Sequence, residues 1–229
     1  MNTIVPIAQS LKIINSEIAS ALQACNRQDK VLLVAVSKTQ TASTIRSAFL
    51  AGQAAFGENY LQEAINKQQE LSDLAIDWHF IGPIQSNKTQ AVAERFSWVH
   101  SVDRLKIAQR LSASRPAHLA PLNICIQINV SNEPSKSGVS MDETLNLALA
   151  IKQLPQLNLR GLMAIPAASD DLTTQHAQFK LVRDCYTTLN RQGLKLDTLS
   201  IGMSNDFQIA IAQGATIVRI GSAIFGARG

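Results

Sequence analysis

Two hydrophobic periods alternate along this chain. Residues 7–27 place Ile7, Leu11, Ile14, Ile18 and Leu22 on one stripe, the spacing of an amphipathic helix. Short apolar runs follow at intervals: VLLVAVSK (31–38), AAFGENY (54–60), WHFIGPI (78–84), WVHSVD (98–103), NICIQINVS (123–131), LRGLMAIPA (159–167), DTLSIGMS (197–204) and TIVRIGSAIFG (216–226). These read as strands. The segments 43–52, 61–71, 88–96, 104–115, 141–154, 172–192 and 205–213 between them return to a helical pattern. Strands alternating with helices build parallel βαβ units. Eight such units in about 200 residues predict a (β/α)8 TIM barrel with an extra N-terminal helix, the alternative being a doubly wound open sheet. No linker or low-complexity tract interrupts the pattern, so one domain over residues 1–229 is expected.

Composition changes this picture little. With 46% hydrophobic and 17% charged residues the chain has material for an ordinary core and no signature of disorder. A net charge of +4 suits an anionic ligand, yet no two Lys or Arg residues are adjacent, so nucleic-acid binding is not predicted. Cys25, Cys125 and Cys185 are far apart and form no CxxC pair, which argues against a zinc site or a disulfide framework and fits a reducing compartment. Cys125, inside an apolar run, reads as a buried core thiol. The N-terminus lacks the charged and apolar regions of a signal peptide, and no apolar run approaches the roughly 18 residues of a membrane span. A cytoplasmic protein with no membrane partner and no metal is expected.

The barrel makes a specific demand: functional residues belong at the C-terminal ends of the strands. Strand 1 ends in Ser37 and Lys38. By alternation Lys38 shares a face with Val34 and Val36 and points into the barrel mouth. A desolvated lysine is a nucleophile toward carbonyls, the alternative being a structural ion pair. Arg219 interrupts the apolar strand TIVRIG and needs an acceptor there. That acceptor is either a carboxylate or a ligand ring nitrogen, arginine being one of the usual partners of the pyridine nitrogen of pyridoxal phosphate. Since arginine stays protonated, a ring nitrogen facing it stays unprotonated, which suits holding the cofactor better than strong carbanion chemistry. Gly202, Met203 and Ser204 after strand 7, with Gly221 and Ser222 on strand 8, offer backbone amides, hydroxyls and close approach to an anion, or else form ordinary turns. A lysine on strand 1, an arginine on strand 8 and a phosphate cradle between strands 7 and 8 together describe a pyridoxal 5′-phosphate site. Asn59 lies where it can bond the ring hydroxyl side. His79 reads as a core histidine or an acid/base group, and Lys136 as a solvated loop lysine or one reaching over the mouth.

VAVSKTQ, FGENYLQEA, WHFIGPIQSNK, LRGLMAIP and IGMSNDFQIAIAQGATIVRIGSAIFGAR closely resemble the pyridoxal phosphate homeostasis proteins, single-domain relatives of the alanine racemase N-terminal barrel. The resemblance runs from about residue 30 to the end. It implies that Lys38 carries the cofactor as a Schiff base, that Arg219 faces the pyridine nitrogen, that Ser204, Gly221 and Ser222 bind the phosphate, and that Asn59 lies near the ring. Ser222 stands where the family is expected to have threonine, which keeps the hydroxyl. It implies a monomer that holds and delivers the cofactor, with apo pyridoxal-phosphate enzymes as recipients, and without robust turnover. Racemising relatives add a β-rich domain and a tyrosine base from a dimer partner. This sequence ends just after strand 8, and its tyrosines are Tyr60 and Tyr186. The alternative is a weakly active racemase or decarboxylase of the same fold, with His79 or Lys136 as its second acid/base. A Schiff-base lyase acting on a sugar phosphate stands as a third possibility.

Overall fold

The computed structural model describes residues 6–130, 137–167 and 169–226. Eight parallel strands close into a barrel in chain order: β1 (Leu32–Val36), β2 (Ala55–Glu58), β3 (Asp77–Phe80), β4 (Trp98–Val102), β5 (Leu122–Ile128), β6 (Leu157–Ala164), β7 (Thr198–Ser200) and β8 (Ile217–Ile220). Closure is completed by β8 pairing with β1. The open sheet is thereby set aside, and the barrel predicted from the alternating periods is the fold.

Helices cover the outside. They are α1 (Ile7–Ala24), α2 (Ala42–Leu50), α3 (Leu61–Glu70), α4 (Thr89–Arg95), α5 (Leu105–Ser114), α6 (Met141–Ile151), α7 (Leu172–Arg191), α8 (Phe207–Ala212) and α9 (Ser222–Phe225). Local chemistry starts several of them. The Asp171 carboxylate accepts from Thr173 N at 3.1 Å and Thr174 N at 3.0 Å, capping α7. At α6, Ser140 Oγ accepts from Glu143 N and donates to the Glu143 carboxylate at 2.7 Å, an N-cap that satisfies a first-turn amide. The extra helix α1 buries Leu11, Ile14 and Ile18, three of the five residues of its predicted stripe. No helix among the described residues is long and apolar enough to cross a membrane.

Strand alternation divides the core into two. Leu33 and Ala35 face the helices in the larger cluster, while Val34 joins Ala55, Trp98, Cys125, Met163 and Ile217 inside the barrel. Cys125 is fully buried there, and burial pushes its thiol up to about 12, so it stays protonated. Register sets the polar part of the interior. Val34 is paired with Arg219, Gly57 with His79, and His79 with Trp98.

Some boundaries differ from the sequence reading. The run 216–226 is strand only to Ile220, after which Ser222–Phe225 forms α9. The run 197–204 is strand only over Thr198–Ser200, because Gly202 takes φ 93° and turns the chain. A Cβ at Gly202 would also stand 2.6 Å from Ala210 Cβ, so glycine is required on both counts.

Candidate functional site

At the C-terminal mouth of the barrel lies a cavity of about 770 Å³. Lys38, Asn59, Met203, Ser204, Arg219, Gly221 and Ser222 all line it, so the fold brings together every residue of the predicted set. A second cavity, about 950 Å³, lies outside the barrel between α1 and α8 and contains none of them. Chemistry, not size, therefore picks the mouth as the candidate site.

Lys38 reaches the cavity by a route that simple alternation does not describe. Strand β1 ends at Val36, and Lys38 sits in the following turn, half-buried. Its neighbour Thr39 has φ 67°, a left-handed conformation that is uncommon for a β-branched residue. A buried network pins this turn. Lys67 on α3, 5% exposed, donates to Ser37 O at 2.8 Å, to Glu58 Oε1 at 2.8 Å and to the Glu63 carboxylate. Ser37 Oγ donates to Glu58 Oε1 at 2.6 Å, and Thr39 N donates to Glu63 Oε1 at 2.7 Å. Glu58 is wholly buried. Burial raises its carboxyl above the ordinary range even though Lys67 and Ser37 oppose this. The strain at Thr39 is thus held by bonds on both sides of Lys38.

Arg219 enters from the other side. Its Nη1 donates to Ser200 O at 2.6 Å and Ser200 Oγ at 2.7 Å, and its Nη2 to Ala164 O at 3.0 Å. None of the described carboxylates lies within ion-pair distance of it. Burial lowers its pKa to about 10, so the guanidinium is charged at neutral pH. The carboxylate that acts on its charge is Asp206, whose Oδ1 accepts from Met203 N at 2.6 Å. Burial raises the Asp206 carboxyl, while the Met203 amide and the Arg219 charge hold it down.

The loops after β7 and β8 present unused amides. Asp206 N and Phe207 N both bond Met203 O, at 3.2 and 3.0 Å. Ser204 N and Asn205 N meet no acceptor among the described residues, and the same holds for Ser222 N and Ala223 N at the start of α9. Gly221 permits the β8 end to close on β1, since a Cβ there would stand 3.2 Å from Val36 O. On the far side, Asn59 Oδ1 is buried and receives no hydrogen bond. Turning that amide over would bring Nδ2 to the same place.

The sequence reading missed one wall. Ile165, Pro166, Ser169 and Asp170 after β6, with Gln175, Gln178 and Phe179 on α7, complete the cavity. The i, i+3 spacing of Gln175 and Gln178 is the available signal, and both leave a buried Oε1 without a donor. Asp206 was also missed, hidden as an ordinary helix-starting residue. His79, a candidate acid/base, does not line the cavity. It is fully buried in the barrel interior, between Asp77 and His100. Lys136 lies outside the described residues. Tyr60 is the N-cap of α3 and is exposed.

Comparison with known proteins agrees with the fold and narrows the family. Residues 10–229 match the family model described as alanine racemase, N-terminal domain. A pyridoxal phosphate homeostasis protein of Pseudomonas aeruginosa is 57% identical over 223 residues, covering 97% of this chain and 96% of that one. The protein of the same name from Escherichia coli is 50% identical over 226 residues, covering 97% of each. Among solved structures, PipY of Synechococcus elongatus with PLP bound is 38% identical with a TM-score of 0.81, covering 91% of this chain and 100% of that one. Alanine racemase from Corynebacterium glutamicum, at 18% identity and a TM-score of 0.72 over 97% of this chain and 61% of that one, shares the fold.

Proposed function

We propose that this chain, which belongs to the pyridoxal phosphate homeostasis protein family, binds pyridoxal 5′-phosphate in the mouth of its barrel. There it acts in keeping and delivering that cofactor within the cell. The observation that carries this reading is the sharing of one cavity by Lys38, Arg219 and the two amide-bearing loops. The relatives' names and the PLP-bound relative support it.

The residues present fit the group. Amides at Ser204, Asn205 and Ser222 that meet no acceptor among the described residues, with two serine hydroxyls, suit a phosphate. The buried Asn59 Oδ1, which receives no hydrogen bond, suits the polar edge of a ring. Arg219, charged and held by neutral oxygens, suits an unprotonated ring nitrogen. When bound, the cofactor supplies an aldehyde that one primary amine captures and another displaces. Lys38 is the amine of the cavity wall placed to hold it.

We read the chain as a carrier without robust turnover. Among the described residues the ionisable groups of the cavity wall are Lys38, Asp170, Asp206 and Arg219. His79, the acid/base candidate of the enzyme reading, is held inside the barrel away from that wall.

The test is the visible absorption spectrum of the purified protein, before and after borohydride, beside Lys38→Ala. The expected result is a yellow band lost on reduction, with the mass adduct mapped to Lys38. A protein that stays colourless when pyridoxal phosphate is added would overturn the assignment. Sustained amino-acid racemisation at rates typical of enzymes, about 1–10³ per second, would overturn the carrier role.

A further inference from the structure

Arg219 stands at one end of a line of hydrogen bonds that crosses the barrel interior. Its Nη1 donates to Ser200 Oγ at 2.7 Å. Ser200 Oγ lies 2.8 Å from His100 Nδ1. His100 Nε2 lies 2.9 Å from His79 Nδ1, and His79 Nε2 lies 3.1 Å from Asp77 Oδ2. The Asp77 carboxylate also accepts from Ser97 Oγ. The line therefore joins β8 to β7, β4 and β3. It begins at a residue 4% exposed and ends at a side chain 41% exposed on the first residue of β3, the end of the strand opposite the cavity.

The two ends fix its direction. A guanidinium only donates, and an ionised carboxylate only accepts. Ser200 Oγ accepts a hydrogen bond from Arg219 and turns its own hydrogen to His100 Nδ1. His100 then carries its hydrogen on Nε2 and donates it to His79 Nδ1. His79 carries its hydrogen on Nε2 and donates it to Asp77. Between those two ends, Ser200, His100 and His79 each donate once and accept once along the line. The reversed order would aim two donors at Ser200 Oγ and leave its own hydrogen without that acceptor.

The surroundings agree with this order. Burial above all, with the Arg219 charge adding to it, holds the His100 pKa well below its ordinary value, so the ring is neutral. At Asp77 burial works upward, but the bonds from His79 and Ser97 outweigh it and keep the carboxyl below its ordinary range. Trp98 stacks on His79 with centroids 5.5 Å apart and planes 4° apart, which fixes the ring plane.

We propose that Asp77, His79, His100 and Ser200 form a one-way relay that orients the Arg219 guanidinium and lends it counter-charge from the opposite end of the barrel. Hydrogen bonds in such a chain polarise one another, so a carboxylate at the far end strengthens the acceptor that Arg219 meets. These are positioning residues, and of the five only Arg219 lines the cavity. Their role toward a ring nitrogen rests on the function proposed above. Their effect on Arg219 itself does not.

The test uses apo protein labelled with 15N in histidine and arginine, at about pH 8, where an ordinary imidazole is neutral. Expected are Nε2–H tautomers at both His79 and His100, and slowly exchanging Arg219 guanidinium protons. Asp77→Ala should mix the tautomers and speed that exchange, whereas Asp77→Asn, which keeps an acceptor oxygen, should restore the tautomers. In the cofactor-loaded protein Asp77→Ala should weaken pyridoxal phosphate binding about threefold to tenfold and shift the visible band. An Nδ1–H tautomer at either histidine in the wild type would overturn the relay. So would an Arg219 signal indifferent to Asp77→Ala. If Asp77→Ala does not fold, Ser200→Ala, which breaks the line beside Arg219, is read for the same Arg219 signal. Faster exchange there supports the relay, and unchanged exchange overturns it. A wild type that binds no pyridoxal phosphate would sink the proposed function, while the apo spectra would still decide the relay.

Discussion

Two buried cations flank the mouth of this barrel and are held in opposite ways. Lys67 meets two carboxylates, Glu58 and Glu63, and one carbonyl. Arg219 meets two carbonyls and a hydroxyl, with no described carboxylate in ion-pair reach. The charge of Lys67 is consumed in fixing the turn that carries Lys38. The charge of Arg219 is solvated by neutral dipoles and remains effective toward whatever enters the cavity. Lys67 is matched by carboxylates outside the cavity and reads as structure, whereas Arg219 is held without a direct carboxylate partner and lines the cavity, which reads as function.

The largest expected effect breaks the first half of this contrast. Lys67→Met leaves Glu58 buried with only Ser37 as a partner and should cost about 3–5 kcal/mol in urea unfolding at neutral pH. The cost should shrink on acidification. The Glu58 carboxyl is already raised by burial, and without Lys67 it takes up a proton more readily. Adding Glu58→Gln to Lys67→Met should recover stability for the same reason. A single-variant cost under about 1 kcal/mol would mean that the pair does not hold the turn.

Arg219→Met tests the second half. It takes the Arg219 donor from the Ser200 and Ala164 carbonyls, but it also removes a desolvated charge. The net change in stability should be smaller, about 1–2 kcal/mol. Binding of pyridoxal phosphate should fall at least about tenfold. Arg219→Lys should not rescue it, because an ammonium lacks the planar fork that spans both carbonyls. A stability loss as large as that of Lys67→Met, with binding intact, would place the two cations in one class.

The neutral groups around Arg219 predict a pH dependence. The folded chain holds the His100 pKa well below 6.5, whereas the unfolded chain protonates it ordinarily. Unfolding then takes up a proton below about pH 6.5, so stability falls as the pH drops through that value, by up to about 1.4 kcal/mol per pH unit. His100→Asn should remove one proton's share of this slope in urea titrations between about pH 6.5 and 5. An unchanged slope would show that His100 protonates as readily folded as unfolded.

What the sequence revealed follows from what periodicity can encode. The barrel was legible because eight short runs alternate with helical stretches, and the fold then directed attention to the strand ends. That step alone gathered Lys38, Asn59, Ser204 and Arg219 onto one cavity wall. The local route of Lys38 was not legible. Alternation continues on paper past Val36, whereas the chain turns there through a positive φ at Thr39 that the Lys67 network and the Gln40 N–Ser37 O bond sustain. Nor was α9 legible, because the apolar SAIF continues the pattern of β8 until Gly221 closes on Val36. Spacing shows that His79 faces inward but not what it meets. Its contact with His100 and the further link to Ser200 join residues 21 and then 100 positions apart, a pairing that closure and register create.

The smallest expected effect gives the sharpest test of the contrast. Asp206 is the acid of the cavity wall whose charge acts on Arg219, and its Oδ1 is already committed to Met203 N. Asp206→Asn keeps that acceptor and removes only the charge. If Arg219 acts outward into the cavity, losing a neighbouring negative charge should tighten pyridoxal phosphate binding about twofold to threefold at about pH 8, because one repulsion against the phosphate is gone. Burial raises the Asp206 carboxyl, so the wild type gains the same neutrality by protonation as the pH falls, and the two proteins should converge in acid. Titration by tyrosine and tryptophan fluorescence at both pH values measures this. Weaker binding in the variant would instead identify Asp206 as the counter-ion that organises Arg219. The guanidinium would then be internally paired like Lys67, and the difference between the two cations would be one of distance, not of kind.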